Sequence, residues 1–392
     1  MKVAIVHDYL NQYGGAERVL EALCELFPDA PIYTSIYSPE LVLHRFDNRK
    51  VITSFMQKLP GVLHHHQAYL PFYSYAFEGF NFSEYDLVIS SSSAWAKGII
   101  TGPETLHISY CHTPMRFVWQ FEDYAKRERM GKATKLALPF FLSYIRLWDV
   151  VSAQRPNYYV ANSQTVAQRI KDCWQRDSIV INPPVEVSQI PYVKAPRQDY
   201  YLWVGRMIPY KRADVAIRAF KELDLPLKVV GTGRDMESLK QLAGSKTEFL
   251  GHVPDEKLRQ MFTECKAFIQ VGAEDFGITP VEAMAGGAPV ISINQNGPAE
   301  TVREGVTGLF FQEQTPEALS AAVRQFEEIY PRFDSDTIRL YAQNFDRELF
   351  CRRFGQYVAE RWEEHKASRD KGLQQEVEIQ PNKSLREARY AR

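Results

Sequence analysis

The sequence predicts an α/β protein with two doubly wound domains, each built on a parallel sheet. Short apolar runs alternate with amphipathic helical patterns along almost the whole chain, which is typical of strands covered by helices on both faces. This alternation of strand and helix patterns occurs in two successive halves of the chain, which a proline-rich stretch separates. At 392 residues, the chain is too long for one ordinary core, which agrees with two domains.

The first series predicts a Rossmann-like N-terminal domain over residues 1–182. It opens with the apolar strand MKVAIVHDY, a Gly-Gly turn and the helical pattern AERVLEALCELF, and DLVISSS, HISYCH and YYVAN follow as buried strands. Residues 183–199 are rich in proline and lack a sustained period, so we interpret them as a linker.

The second series predicts a Rossmann-like C-terminal domain over residues 200–345. It starts at YYLWVGR and continues through LPLKVVGTGRDMESLKQL, TEFLGHV and DEKLRQMFTECKAFIQV to TGLFF. Residues 346–367 carry apolar side chains at helical spacing. Residues 368–392 are polar without a core face, and we expect a disordered tail there.

Composition limits the classes of function. Hydrophobic residues make up 45% and charged residues 24% of the chain, as in soluble globular proteins. A net charge of −1 argues against a nucleic-acid partner. No run approaches the length of a membrane span and the first strand is not a signal peptide, so we predict a cytoplasmic protein.

Cysteine and histidine patterns predict no metal site. The five cysteines are scattered without a C-x-x-C pair, and we expect reduced thiols. Residues 64–66 are three consecutive histidines, but consecutive side chains rarely face one ion, so we interpret them as a loop.

Ligands of open α/β sheets bind in the crevice at the carboxyl ends of the strands. Gly14-Gly15 follows the first strand and lets backbone N–H groups approach an anion, although a plain tight turn explains it equally well. Gly205-Arg206, with Lys211 and Arg212 nearby, suits a diphosphate. The alternative is a solvated surface cluster.

Two further loops complete this prediction. Gly231-Thr232-Gly233-Arg234 lacks the third glycine of a dinucleotide fingerprint, and no G-K-[ST] occurs, which argues against a dehydrogenase and a P-loop enzyme. Glu274 and Glu282 flank a helix start predicted near Thr279, as expected if they bind sugar hydroxyls on either side of a phosphate. The simpler alternative is that Thr279 and Glu282 form a capping box.

These motifs together resemble the retaining glycosyltransferases of family 4, which have the two-domain GT-B fold. The spacing Glu274-x7-Glu282 is similar to their E-x7-E signature. V-G-R-M-I-P-Y-K-R, V-V-G-T-G, F-L-G-H-V and E-G-V-T-G-L-F-F continue the resemblance over most of the second domain. The Gly14-Gly15 loop and Cys111-His112-Thr113-Pro114 extend it to parts of the first.

The resemblance implies roles for individual residues. Arg206 and Lys211 would bind the donor diphosphate, and Glu274 and His112 would contact the transferred hexose. Glu282 would bind the ribose. The other implied donor contacts are Gly14, Gly15, Gly205, Gly231, Gly233, His252, Val253, Phe276, Gly277, Ile278 and Thr279.

The resemblance also implies a reaction without a metal or cofactor, in which the two cations stabilise the leaving diphosphate. The acceptor would attack the sugar from the same face from which the leaving group departs. The last helix would cross back onto the first domain. Sugar-nucleotide epimerases and phosphorylases share the architecture, and a non-catalytic sugar-nucleotide sensor is a further alternative.

The acceptor is the least defined part of the prediction. Residues 91–98 and 113–149 mix aromatic and basic side chains, with Trp95, Lys97 and Arg116 as candidate contacts. They suit a lipid-linked glycan at the inner face of the membrane, a sugar-phosphate acceptor, or an ordinary helix pair. H-T-P-M-R resembles branches of the family that build surface polysaccharides with mannose donors. We therefore expect a GDP- or UDP-sugar donor with mannose first, and a UDP-glucose-dependent transferase acting on a sugar phosphate second.

Overall fold

The computed structural model describes residues 1–119, 132–192 and 194–378. Within these residues, seven parallel strands form the first sheet, in the order β3-β2-β1-β4-β5-β6-β7. Their bounds are β1 Val3–His7, β2 Ile32–Thr34, β3 Val51–Thr53, β4 Leu87–Ser92, β5 Leu106–Cys111, β6 Tyr158–Ala161 and β7 Ile179–Val180. Every residue of β4 and β5 is buried, as expected for central strands covered on both faces.

Six helices described in this part of the chain flank the first sheet. They are α1 Gly15–Leu26, α2 Val62–His65, α3 Tyr73–Glu78, α4 Arg116–Trp119, α5 Lys132–Ser152 and α6 Gln164–Trp174. Short 3-10 turns occupy Phe55–Lys58, His66–Phe72 and Ala96–Gly98. Residues 64–66 therefore lie on helical turns, and the expectation of a loop there is wrong. Part of the predicted acceptor segment, residues 120–131, lies outside the described residues.

The second sheet has six parallel strands in the described chain, ordered β10-β9-β8-β11-β12-β13. They are β8 Tyr201–Val204, β9 Leu227–Val230, β10 Thr247–Gly251, β11 Ala267–Gln270, β12 Val290–Ile293 and β13 Gly308–Phe311. In both sheets the first strand pairs with the second on one side and with the fourth on the other. This reversal of strand order defines the crevice where ligands bind in doubly wound sheets.

Seven described helices flank the second sheet or follow it. They are α7 Ala213–Leu223, α8 Met236–Leu242, α9 Asp255–Glu264, α10 Ile278–Ala285, α11 Asn296–Thr301, α12 Pro316–Ile329 and α13 Ser335–Ala342. Further 3-10 turns lie at Val187–Gln189, Pro209–Lys211, Tyr330–Arg332 and Gln343–Phe345.

The last helix, α14 (Arg347–Glu378), crosses back to the first domain. Phe350, Phe354 and Val358 belong to the same buried cluster as strands β1, β4 and β5. Arg347 also binds Glu25 of α1. The helix runs past residue 367, where we expected it to end, and the remainder of the predicted tail, residues 379–392, lies outside the described chain.

The cysteines and the helices can be compared with the expectations from composition. All five cysteines are free. Across the residues described, no helix combines the length and the apolar character needed to cross a membrane.

Candidate active site

Loops at the carboxyl ends of the two sheets face each other across a narrow cleft. Gly15 begins α1 directly after the β1 loop, and a Cβ atom placed on it would lie 2.9 Å from Cδ1 of Ile278 in the second domain. A side chain here would have to displace the tip of Ile278, so the two domains approach closely at this point. The Gly14-Gly15 turn and the start of α10 face each other, as the donor site predicts.

The predicted diphosphate cations lie in this cleft on the second domain. Lys211 Nζ is 2.5 Å from Oε1 of Glu274. Arg206 follows β8, is exposed, and donates from Nη1 to Gln12 Oε1 of the first domain at 3.2 Å. Burial by itself lowers the pKa of Lys211, but the Glu274 carboxylate, with a contribution from Tyr210, raises it by more, so the net shift is upward. Lys211 is thus held charged at the point where the domains meet.

Glu282 has a different local role from the one that a capping box would give it. Helix α10 begins at Ile278 with Gly277 as N-cap at φ +88°, and no side chain caps it. Thr279 is already inside the helix, so the capping-box interpretation is wrong. Instead Glu282 binds Nη1 of Arg18 from α1 at 2.5 Å, across the cleft. The carboxylate therefore points to the cleft, where it was expected to bind a ribose.

Close packing of the loops after β8 and β9 explains the glycines there. Cβ atoms on Gly231 and Gly233 would lie 2.0 and 2.3 Å from the carbonyl oxygens of Gly205 and Met207. The two loops therefore pack backbone against backbone, which no larger residue allows. Contact of these three glycines with a donor stays a prediction.

His112 occupies the first-domain side of the cleft, directly after β5. Its Nε2 lies 2.8 Å from Oγ of Ser91, and Asn162 binds its carbonyl. Burial, with a smaller contribution from His7, lowers the pKa of His112 to about 3. The imidazole is therefore neutral at ordinary pH.

A cavity of about 510 Å³ opens beside Glu282 at the same interdomain boundary. Tyr13, Arg18 and Arg45 line it from the first domain, and Asp255 and Leu258 of α9 line it from the second. Two of the implied donor contacts lie on a nearby loop, where His252 is exposed and Val253 is half-buried. The cavity is large enough for a nucleoside.

Asp275 ties the Glu274 loop to the first domain. One carboxylate oxygen accepts a hydrogen bond from Arg116 and the other from Arg169 of α6. Phe276 is buried against Phe345. Arg116, a predicted acceptor contact, is thus committed to an interdomain ion pair in this arrangement.

Two of the three predicted acceptor contacts are wrong. Lys97 is 1% exposed, and its ammonium binds Asp149 at 2.6 Å and the carbonyl of Ala94 at 2.9 Å. Trp95 is 3% exposed and stacks on Tyr73. Both residues belong to the core of the first domain, because helix α5 covers the segment that we took to be accessible.

Sequence reasoning missed the residues that support the site from the first domain. They are His7, Glu17, Arg18, Ser91 and Arg169. Only the position of His7 at the end of the first strand and the serine run at the end of β4 offered a signal. The pairing of Arg18 and Arg169 with the second domain depends on how the domains face each other, which local sequence does not specify.

Comparison with known structures defines the class of fold. Anabaena HepE in complex with UDP-glucose aligns with a TM-score of 0.69 and 17% identity, covering 92% of this chain and 100% of HepE. Sucrose-phosphate synthase from Thermosynechococcus elongatus aligns with a TM-score of 0.70 and 17% identity, covering 92% and 99%. The chain has the GT-B fold, in which two parallel α/β domains face each other across a cleft.

The second domain also matches a known family. Residues 187–338 match the family described as glycosyl transferases group 1. Over these residues the chain is similar to that family.

Curated relatives match shorter parts of the chain. O-antigen chain mannosyltransferase C of Escherichia coli is 24% identical over 261 residues, 62% of this chain and 68% of that protein. D-inositol 3-phosphate glycosyltransferase of Nocardia farcinica is 32% identical over 181 residues, 38% and 40%. An uncharacterised glycosyltransferase of Methanocaldococcus jannaschii is 28% identical over 130 residues, 32% and 37%. The chain thus spans less than half the length of the last two.

Proposed function

We propose that the protein is a glycosyltransferase that moves a hexose from a nucleoside-diphosphate sugar to a sugar-containing acceptor. The observation that carries this proposal is the convergence of two loops of the second domain on the cleft. Arg206 and Lys211 come from one loop, and Glu274 and Glu282 come from the other and its helix. Two cations beside two carboxylates match a diphosphate with a sugar on either side.

The catalytic demand of such a transfer is stabilisation of charge on the departing diphosphate. Arg206 supplies two parallel donors and Lys211 a point charge, and the partly closed cleft strengthens both interactions. In our proposal these side chains fulfil the role that a divalent cation fulfils in other transferases. Glu274, bonded to Lys211, orients that ammonium and accepts a hydroxyl of the hexose.

We propose that the stereochemistry at the anomeric carbon is retained. The acceptor hydroxyl attacks from the face that the diphosphate leaves, and a leaving oxygen takes the acceptor proton. No additional carboxylate is assigned as a nucleophile. This part of the proposal rests on the family resemblance of the Glu274-x7-Glu282 motif.

For the base, the cavity beside Glu282 favours guanine. Asp255 lies in the first turn of α9 on the wall of this cavity, and its side chain is 58% exposed. A carboxylate can accept two parallel hydrogen bonds, and guanine alone among guanine, uracil and adenine offers two adjacent donors, at N1 and N2. Since several relatives are named mannosyltransferases, GDP-mannose is the donor that we propose.

The main alternative is a UDP-glucose-dependent transferase, because HepE was solved with UDP-glucose. Isothermal titration separates the two. We expect Asp255→Asn to weaken GDP binding and leave UDP binding unchanged, with Glu256→Gln, the adjacent exposed carboxylate, as the matched control. Equal affinity of the wild-type protein for GDP and UDP would contradict the guanine assignment.

The transfer itself is tested by donor turnover in the presence of a chelator. We expect release of GDP from GDP-mannose, faster than release of UDP from UDP-glucose, and stimulation by a mannose-containing lipid-linked glycan. NMR of the product would show the donor's anomeric configuration. A folded protein that binds nucleotide but releases it from neither donor would support the non-catalytic alternative.

A further inference from the structure

A row of buried polar side chains leads from His112 into the first domain. Ser91 Oγ lies 2.8 Å from Nε2 of His112 and 3.1 Å from Nδ1 of His7. The other nitrogen of His7, Nε2, lies 3.5 Å from Oε1 of Glu17. Glu17, His7 and Ser91 are at most 2% exposed.

Sheet register explains how these four residues meet. His7 ends β1 and is the direct partner of Ser91 on β4. His112 follows the adjacent strand β5, and Glu17 lies in the first turn of α1, just behind the Gly14-Gly15 loop. The row therefore begins beneath the glycine turn and ends at the cleft.

A buried carboxylate at one end of the row indicates which group donates and which accepts in each of its hydrogen bonds. As a carboxylate, Glu17 only accepts hydrogen bonds. Its Oε1 is buried without a hydrogen-bond partner among the described residues, and Nε2 of His7 faces it at 3.5 Å. A negative charge on that side favours the His7 tautomer with its proton on Nε2, which leaves Nδ1 to accept. The Ser91 hydroxyl then donates to His7, and its lone pair accepts a hydrogen bond from Nε2–H of His112.

The far end of the row is the unprotonated Nδ1 of His112. A neutral imidazole has one N–H, and this one is committed to Ser91. Within the described chain no group hydrogen-bonds Nδ1, and His112 keeps 9% of its surface exposed. The His112 ring therefore presents a hydrogen-bond acceptor, and not a donor, to the cleft.

We propose that Glu17, His7 and Ser91 are positioning residues that hold His112 as its Nε2–H tautomer, so that Nδ1 accepts a hydrogen bond from a hydroxyl of the donor hexose. This inference rests on the proposed function. A site that bonds a substrate hydroxyl rejects an analogue that lacks it far more strongly than an apolar site does. The row thus contributes to selection of the hexose.

The tautomer is measured directly in the free protein by NMR with 15N-labelled histidine. We expect His112 to be protonated on Nε2 in the wild type and to populate both tautomers in Ser91→Ala. Ser90→Ala is the matched control, because Ser90 makes the same kind of bond, 2.9 Å from Nε2 of buried His107, away from the row. Glu17→Gln is a second variant, and we expect it to mix the tautomers without removing the hydroxyl.

Protonation of His112 on Nδ1 in the wild type, or an unchanged tautomer in both Ser91→Ala and Glu17→Gln, would overturn the inference. This measurement needs no substrate, so it stands even if the proposed function fails.

Kinetics provide the second readout. We expect Ser91→Ala to lower kcat for donor turnover roughly tenfold to hundredfold, by analogy with the loss of hydrogen-bond partners that orient metal-bound histidines. The affinity for GDP should not change, because the row does not touch the diphosphate cations. Unaltered kcat in Ser91→Ala, with Ser90→Ala also unaltered, would contradict a positioning role.

Discussion

At the scale of single residues, the proposed transfer depends on Lys211, which is hydrogen-bonded to Glu274 and lies beside Arg206. We expect Lys211→Ala to reduce donor turnover roughly 10²- to 10³-fold, the usual cost of removing one preorganised charge from a transition state. Lys240→Ala, on an exposed helix face where Lys240 pairs with Glu237, should have no effect. Turnover equal to wild type in Lys211→Ala would refute the assignment of this lysine.

Lys97 leads to the opposite expectation. Its buried pair with Asp149 stabilises the first domain, and removal of one partner of such a pair costs about 3 to 5 kcal/mol. We expect Lys97→Ala to lower the free energy of unfolding by that amount in urea denaturation. Lys171→Ala, which breaks an exposed pair with Asp177, should change it by less than about 1 kcal/mol. A stable Lys97→Ala protein with a raised acceptor KM would restore Lys97 as an acceptor contact.

The types of residue that follow the strands in the sequence predicted only part of the site. The structure brings the four predicted residues Arg206, Lys211, Glu274 and Glu282 to the cleft. They were selected because charged residues in the loops and helix starts after buried strands have few structural explanations. Lys97 and Trp95 were misassigned because a lysine that pairs with an aspartate 52 residues away has the same local sequence as an exposed one. The distance along the chain hides the partner that decides the role.

At the scale of elements, helix α14 packs its apolar face on the core of the first domain. Phe354 is fully buried, stacks on Phe350 at 5.6 Å and meets the edge of Tyr110 at 6.1 Å. We expect Phe354→Ala to destabilise the first domain by about 3 to 5 kcal/mol, as for other buried phenylalanines. Leu340→Ala on α13, where the side chain is 65% exposed, is the control. Equal stability of the two variants would show that α14 does not contribute to that core.

Elements were the most predictable level of the structure. Alternating apolar runs and helical patterns predicted both sheets, because central parallel strands and amphipathic helices leave distinct periods in the sequence. Helix ends were less predictable. The start of α10 was predicted near Thr279 from a capping-box pattern. The helix begins at Ile278, one residue earlier, where Gly277 in the left-handed conformation precedes it and no side chain caps it.

At the scale of the whole molecule, charged side chains link the two domains across the cleft. Asp275 binds Arg116 and Arg169, Glu282 binds Arg18, and Glu300 accepts from the backbone of Gln164 and Thr165 at 2.7 Å. A ribose that uses Glu282 must share it with Arg18 or replace that contact. Opening and closing of this cleft would therefore accompany donor exchange.

We expect Asp275→Asn to open the cleft. The change keeps the size of the side chain but removes the charge that both arginines bind. Small-angle X-ray scattering should show a larger radius of gyration than for the wild type or for Asp172→Asn, an exposed control on α6. A radius of gyration identical to wild type, together with normal turnover, would show that this pair does not control closure.

The proposed function requires that the cleft binds a nucleoside diphosphate through protein cations. The decisive test is isothermal titration of GDP, UDP and ADP into the wild-type protein and Lys211→Ala, with a chelator present. We predict that GDP binds the wild-type protein most tightly and binds Lys211→Ala at least tenfold more weakly. Absence of binding by all three nucleotides, or equal affinity of the two proteins, would contradict this requirement.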